Sequence, residues 1–224
     1  MPLPELEERD LAELPIFPLP NVALFPGAML PLHVFEPRYR ELVRQALDGR
    51  KLLAIARLRP GYEGDYEGRP PVHEVCGVGA IESHTERPDG RFDITLRGLA
   101  RVRIVEELPP VRAFRQVRAE LLREATPAPA LIAAWQTKLG GLWQQLAPHL
   151  PESVRDLREL TRGADDASAY SDRLAAALVA DPEASQELLA ELDPGERLRI
   201  LTARVQELVD AVSPPSIAKD RALN

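Results

Sequence analysis

Hydrophobic spacing along this chain switches from a period of two to a period of about 3.6 near residue 123, and one layer of secondary structure cannot serve both patterns. Upstream lie short β-type runs. The stretch 14–35, LPIFPLPNVALFPGAMLPLHVF, is broken by Pro15, Pro18, Pro20, Pro26, Gly27 and Pro31. Proline cannot donate to a central ladder, so these strands should be short, bent and partly at an edge. A buried-type strand is expected at 52–58, and alternating runs at 75–85, 91–96, 101–108 and 111–122. Pro88-Asp89-Gly90 supplies a hairpin turn between the first two of the alternating runs. One helix interrupts them, at 36–47, where Pro37 suits a first turn and Tyr39, Leu42, Val43, Ala46 and Leu47 share a face. Six or more short strands with one helix suggest a small closed or half-closed barrel.

Downstream the pattern is helical. Thr126-Pro127 reads as a cap and first-turn proline, and Trp135, Leu139, Leu142, Trp143 and Leu146 form one apolar stripe that Gly140-Gly141 could kink. Further helices are expected at 152–161, 168–179, 183–191 and 194–212, with Asp181-Pro182 and Asp193-Pro194 as starts. The reading is α+β in four parts: an N-terminal arm at 1–13, a barrel at 14–124, a helical bundle at 125–212 and a tail at 213–224. The Pro/Ala-rich stretch 125–130 marks a boundary at which the two units should be separable.

Composition narrows function. Of 224 residues, 45% are hydrophobic and 28% charged, enough for a real core. The lone Cys76 excludes an internal disulfide and a multi-thiolate zinc site, and fits a reducing compartment. No apolar run nears the roughly 20 residues of a membrane span, and the acidic start is unlike a signal peptide, so a cytoplasmic location without membrane contact is expected. Up to Leu122 there are 17 Lys+Arg against 19 Asp+Glu, and beyond it 11 against 16. That balance argues against phosphate-backbone binding. The arginines at 97, 101, 103, 112, 115 and 118 read as strand faces paired with acids.

The search for chemistry returns little. Gly77-Val78-Gly79 runs on into a strand and lacks the third glycine of a phosphate loop, and no GxxxxGK[ST] exists. His73, Cys76 and His84, with Glu74, are the one cluster of soft ligands, but His73 and Cys76 fall at opposite parities. No nucleophile elbow occurs, and the pairs Glu106-Glu107 and Asp165-Asp166 suit capping or solvation. No catalytic residue, metal or cofactor is therefore assigned. The segment 60–71 is long for a connection in a compact domain. It carries Tyr62 and Tyr66 with Glu63, Asp65 and Glu67, so Tyr62, Asp65 and Tyr66 are the candidates for peptide contact, against simple packing onto the barrel.

The runs LFPG and LPLHVFEPRY closely resemble the opening of the Lon protease N-terminal, substrate-binding domain. VCGVGAI, PDGRFDITLRGLARVRIVEEL, DRLAAAL and QELLAELDPGERL extend the resemblance from about residue 14 to 212. LRPGYEGDYEGRPPV is similar to the version in short bacterial members that carry this domain alone. The resemblance implies a PUA-like β pseudo-barrel with one inserted helix, followed by a helical bundle. It implies a non-catalytic module that engages unfolded or flexible polypeptide, in protein quality control or as an adaptor beside a protease or chaperone. The ATPase and protease modules of full Lon proteases are not in this sequence, and no catalytic residue carries over. Glu36, Pro37, Arg38 and Tyr39 transfer as structure, Glu36 and Arg38 fixing a strand-to-helix junction. Two alternatives stand beside this: an RNA-binding PUA-like module, and a hydrolase using Cys76 or the histidines.

Overall fold

A computed structural model describes residues 6–66 and 68–212. Six strands, β1 (Leu14–Leu19), β2 (Met29–Val34), β3 (Leu52–Arg57), β4 (Val75–Glu86), β5 (Phe92–Glu107) and β6 (Arg115–Leu121), form one sheet in the order β2-β5-β4-β3-β1-β6. Because β6 returns to pair with β5, five strands close a ring, and β2 hangs outside it on the first half of β5. β1 and β3 are parallel, while the other pairings are antiparallel. The helix α1 (Pro37–Asp48) lies between β2 and β3 in the chain, with Pro37 in its first turn and Gly49 at its end.

The two strands expected at 91–96 and 101–108 are one continuous strand, β5. It exchanges β2 for β6 along its length, and register shifts at Val78/Gly79, Ile81/Ser83 and Ile104/Glu106 provide the bending that closure requires. Gly98 falls in the gap between those two expected strands, and the structure shows why it carries no side chain. The segment after β1 crosses the sheet there: a Cβ on Gly98 would lie 2.0 Å from the Phe25 carbonyl oxygen, and one on Gly77 1.8 Å from that of Leu24. Gly27 N–H donates to Gly98 O, and Gly98 N–H donates to Ala28 O, which fixes the crossing. Gly98→Ala is therefore expected to cost about 1–3 kcal/mol or more, as overpacking against backbone does. An unchanged urea midpoint would show that the crossing segment yields freely.

Side chains from all five ring strands meet inside it: Leu14, Ile16, Ala54, Ala56, Cys76, Val78, Val102 and Val117. Leu11 joins them at 5% exposure from a short 3-10 helix, Glu8–Leu11, so that part of the expected N-terminal arm is packed rather than loose. A second cluster seats α1 through Tyr39, Leu42, Val43 and Ala46 against Phe17, Ile55, Phe92 and Leu96. β6 starts at Arg115 and not at 111, after a loop in which Val111 is exposed.

The helices α2 (Pro129–Leu146), α3 (Leu157–Leu160), α4 (Ala167–Leu178), α5 (Pro182–Ala190) and α6 (Pro194–Val212) follow. α2 begins at Pro129, not at Pro127, because the residue before a proline is barred from the helical region and Ala128 sits at ψ 129°. Gly140 and Gly141 lie within unbroken helix. The single helix expected at 152–161 divides into a 3-10 turn, Glu152–Val154, and α3, which Asp156 caps through Arg158 N–H. Asp166 and Asp181 cap α4 and α5 by accepting from Ala169 N–H and Ala184 N–H.

Barrel and bundle meet through buried polar contacts. Arg101 of β5 holds Asp172 of α4 with both Nη atoms, at 2.8 and 2.5 Å, and Arg197 of α6 approaches the same carboxylate at 3.3 Å. Gln186 Nε2 donates to Val75 O, Arg57 Nη2 reaches Glu183, and Phe25 is packed in the helical core. No described helix is long and apolar enough to cross a membrane. The expected tail at 213–224, the start of the arm and Glu67 lie outside the described residues.

Candidate functional site

Among the hollows and edges of the barrel that a ligand can reach are a cleft at the start of α1 and the open edge of β2. The cleft is built by the sequence Glu36-Pro37-Arg38-Tyr39. Glu36 occupies the N-cap position in extended backbone and Pro37 the first helical position, which throws Arg38 back over the junction. Arg38 Nε donates to Glu36 Oε2 at 3.0 Å, and its guanidinium lies over the Tyr39 ring at 4.8 Å and the Tyr66 ring at 5.3 Å. Tyr66 OH donates to Glu36 Oε1 at 2.9 Å, and Arg38 Nη2 donates to Tyr66 O. The long loop is thus tied to the helix start. Burial pushes the Tyr39 phenol up to about 12 and, together with the Glu36 carboxylate, raises that of Tyr66.

Of the three loop candidates, Tyr66 is turned down onto this junction. Tyr62 sits beside it with ring centroids 6.2 Å apart, and Asp65 is exposed, its carbonyl accepting from Gly68 N–H. Tyr66→Phe should cost about 1.5 kcal/mol, the low end for a bond to a charged group because the site is only half-buried. A melting temperature equal to the parent's would mean that the loop is held by other contacts.

Beyond Tyr66 the cleft opens to about 220 Å³, lined by Arg38, Tyr39, Arg69, Arg112, Phe114 and Arg115 among others. Arg115 donates from Nε and Nη2 to Glu107 and from Nη1 to Pro70 O, while Arg69 shares the same carboxylate. Burial pushes Glu107 up, but Arg115 and Arg69 together hold it below the usual carboxylate range. Arg112 is exposed and makes no ion pair among the described residues.

The β2 edge follows from ring closure. Since Ala28 O accepts from Gly98 N–H, residues of that parity, Leu30, Leu32 and Val34, turn their backbone groups to β5. Met29, Pro31 and His33 turn theirs to the open side. Pro31 there lacks an N–H that nothing inside the sheet requires, which limits indiscriminate pairing of an edge. Met29 is 46% exposed and Phe35, just past the strand, 59%. A groove of about 170 Å³ adjoins the start of β2, lined by Val22, Ala23, Met29, Leu30, Ala176 and Val179 among others. On the outer face His33 Nδ1 lies 2.7 Å from Asp93 Oδ1, whose other oxygen accepts from Arg87 Nε.

The soft-ligand cluster does not assemble. Cys76 is fully buried in the ring and its thiol is pushed up to about 12 by desolvation, so it is no nucleophile at neutral pH. His73 lies before β4, its Nε2 3.1 Å from Arg57 Nη1, and burial together with that guanidinium holds it below its ordinary value. His84 stands apart on the exposed end of β4. No group of three or more His, Cys, Asp or Glu side chains that could hold a metal occurs among the described residues. The arginine run is largely neutralised within the fold: Arg97 pairs with Glu82, Arg103 with Glu120, Arg115 with Glu107 and Arg118 with Glu106. Sequence reasoning missed Asp172 and Arg197 and read Arg101 as a strand-face residue, whereas it is buried against α4, because these contacts depend on partners far away in the chain. β2 takes the edge position expected within the proline-broken stretch 14–35.

The profile of the ATP-dependent protease La (LON) substrate-binding domain matches residues 13–207. The chain belongs to this family. The Lon substrate-binding domain is a non-catalytic, binding part of the larger enzyme. A Lon protease of Roseiflexus castenholzii is 32% identical over 210 residues, covering 88% of this chain and 24% of the relative, and one of Desulfovibrio desulfuricans is 28% identical over 202 residues. The chain spans about a quarter of the length of these curated relatives. In fold it is similar to the N-terminal domain of Mycobacterium avium complex Lon protease, with TM-score 0.64 and 20% identity over 87% of this chain and 98% of the other. The Lon N-terminal domain protein of Xanthomonas campestris gives TM-score 0.57 at 23% identity, over 86% and 98%.

Proposed function

We propose that this Lon-type substrate-binding domain captures extended, unfolded polypeptide segments, pairing them with the open edge of β2, in protein quality control or as an adaptor that passes them to a protease or chaperone. The observation that carries the reading is the outward-facing backbone of Met29 and His33 beside the exposed side chains of Met29 and Phe35. Main-chain bonds to an edge are indifferent to sequence, and the adjoining apolar groove favours the apolar residues that unfolded chains expose. Tyr62 and Asp65 are proposed as the loop's contribution to a second rim, since Tyr66 is engaged by Glu36 and Arg38. The formal charge of −7 and the internal pairing of the arginine run favour polypeptide over RNA.

Hydrogen exchange, with and without a reduced, permanently unfolded test protein, checks this. The amides of Met29 and His33 should slow on binding, and a Met29→Lys, Phe35→Ser double variant should lose capture while its stability stays within about 1 kcal/mol of the parent, as for surface changes. Protection confined to the bundle, or capture undiminished in the double variant, would remove β2 as the site.

A further inference from the structure

We infer that the arginine-lined cleft at the start of α1 binds a carboxylate, and that its ligand is the free C-terminus of a polypeptide. The inference does not rest on the β2 reading, because neither Met29 nor Phe35 lines this cleft. Among the described residues four guanidiniums line it, those of Arg38, Arg69, Arg112 and Arg115, whereas the carboxylates bonded to them are Glu36 and Glu107. Arg38 is matched by Glu36. Among the described residues Arg69 and Arg115 share the single charge of Glu107 and Arg112 makes no ion pair, so the described guanidiniums of the rim outnumber the carboxylates bonded to them.

Donors are available as well as charge. A guanidinium carries five N–H groups, and Arg115 spends three of them, on the two oxygens of Glu107 and on Pro70 O. Arg115 is 9% exposed and fixed by these bonds, so its remaining N–H groups are held in place before any ligand arrives. Arg112 stands across the same cleft on the loop before β6. A fixed and a free guanidinium facing one space suit the two oxygens of a carboxylate.

Size selects the end of a chain. The cleft, at about 220 Å³, is smaller than the roughly 300–1,000 Å³ of sites for drug-sized ligands. It has room for one residue, with Tyr39, Phe114 and Pro110 as apolar walls for that residue's side chain. An internal acidic side chain would have to bring two flanking lengths of backbone to a space of that size. A terminal residue brings one.

Four probes test this by NMR titration of the full chain: acetyl-Ala-Ala-Leu with a free carboxylate, the same peptide as its amide, acetyl-Ala-Glu-Ala-amide, and inorganic phosphate. The free acid should shift the Gly68, Arg112 and Ala113 amides and bind at least tenfold more tightly than the other three. Arg112→Gln should lower its affinity at least tenfold without changing the melting temperature, because Arg112 is exposed and makes no ion pair among the described residues. The Met29→Lys, Phe35→Ser variant should bind the acid as the parent does, whatever its capture of unfolded protein. Equal binding of acid and amide, an internal glutamate as good as the terminal carboxylate, preference for phosphate, or an Arg112→Gln variant with parental affinity would each overturn the assignment.

Discussion

Asp172→Ala is expected to destabilise the protein by about 3–5 kcal/mol, the cost of breaking a buried pair from one side. Asp172 is fully buried, and its two oxygens meet Arg101 at 2.8 and 2.5 Å and Arg197 at 3.3 Å. Both arginines are buried too, at 3% and 0% exposure. Burial raises the Asp172 carboxyl above its ordinary value, and the Arg101 and Arg197 guanidiniums oppose that shift. Glu124 also bonds Arg101 and Arg197, at 2.7 and 3.0 Å, so the four side chains are neutral as a set. Removing Asp172 leaves two buried cations facing one partly exposed carboxylate. Asp172→Asn keeps the shape and loses the charge, and should fall between parent and alanine variant. Arg101→Met with Asp172→Leu removes one charge of each sign, leaves Arg197 with Glu124, and should regain much of the loss. Urea denaturation measures all three, and a loss below about 1 kcal/mol for Asp172→Ala would mean that water replaces the carboxylate.

The same network bears on how the two units behave apart. The sequence pattern places a boundary near residue 125, where period two gives way to period 3.6, yet Arg101 lies on one side of it and Asp172 and Arg197 on the other. A barrel prepared alone would hold Arg101 without Asp172, and a bundle alone would lose Phe25 from its core. Periodicity reports which face of an element is buried and is silent about which element buries it. That is why the stripe of α1 was legible in Tyr39, Leu42, Val43 and Ala46, and why Pro88-Asp89-Gly90 announced its turn, with Gly90 at φ +77° and Arg87 N–H donating to Arg91 O. Contacts that depend on distant chain were not legible. That Gly98 lies inside one continuous strand was not legible, because the Phe25 carbonyl that excludes its Cβ lies far upstream. The prolines of 14–35 did mark its strands as partly at an edge, but that β2 is the one left there follows only from β5 and β6 closing the ring without it.

Trp143→Ala should cost about 3–5 kcal/mol, the range for deleting a large aromatic side chain from a core. Here the sequence stripe and the packing agree: Leu139, Leu142, Trp143 and Leu146 are all buried and meet Leu174, Leu198, Leu201 and Val205 in one cluster. Trp143 is 3% exposed, and its indole Nε1 donates to Arg155 O at 2.9 Å, which anchors the irregular segment between α2 and α3. Two losses therefore add, the cavity and the anchor. Trp143→Phe separates them, because it keeps most of the apolar volume and removes the donor, and it should cost about 1–2 kcal/mol. Calorimetry then distinguishes two forms of coupling. If the Arg101–Asp172 network joins barrel and bundle into one cooperative unit, Trp143→Ala lowers a single transition for the whole chain. If the units unfold independently, a barrel transition remains at the parental temperature while the bundle melts early. A parental transition in Trp143→Ala, with no early melting, would show that α2 contributes little to the core and that the stripe is an exposed surface.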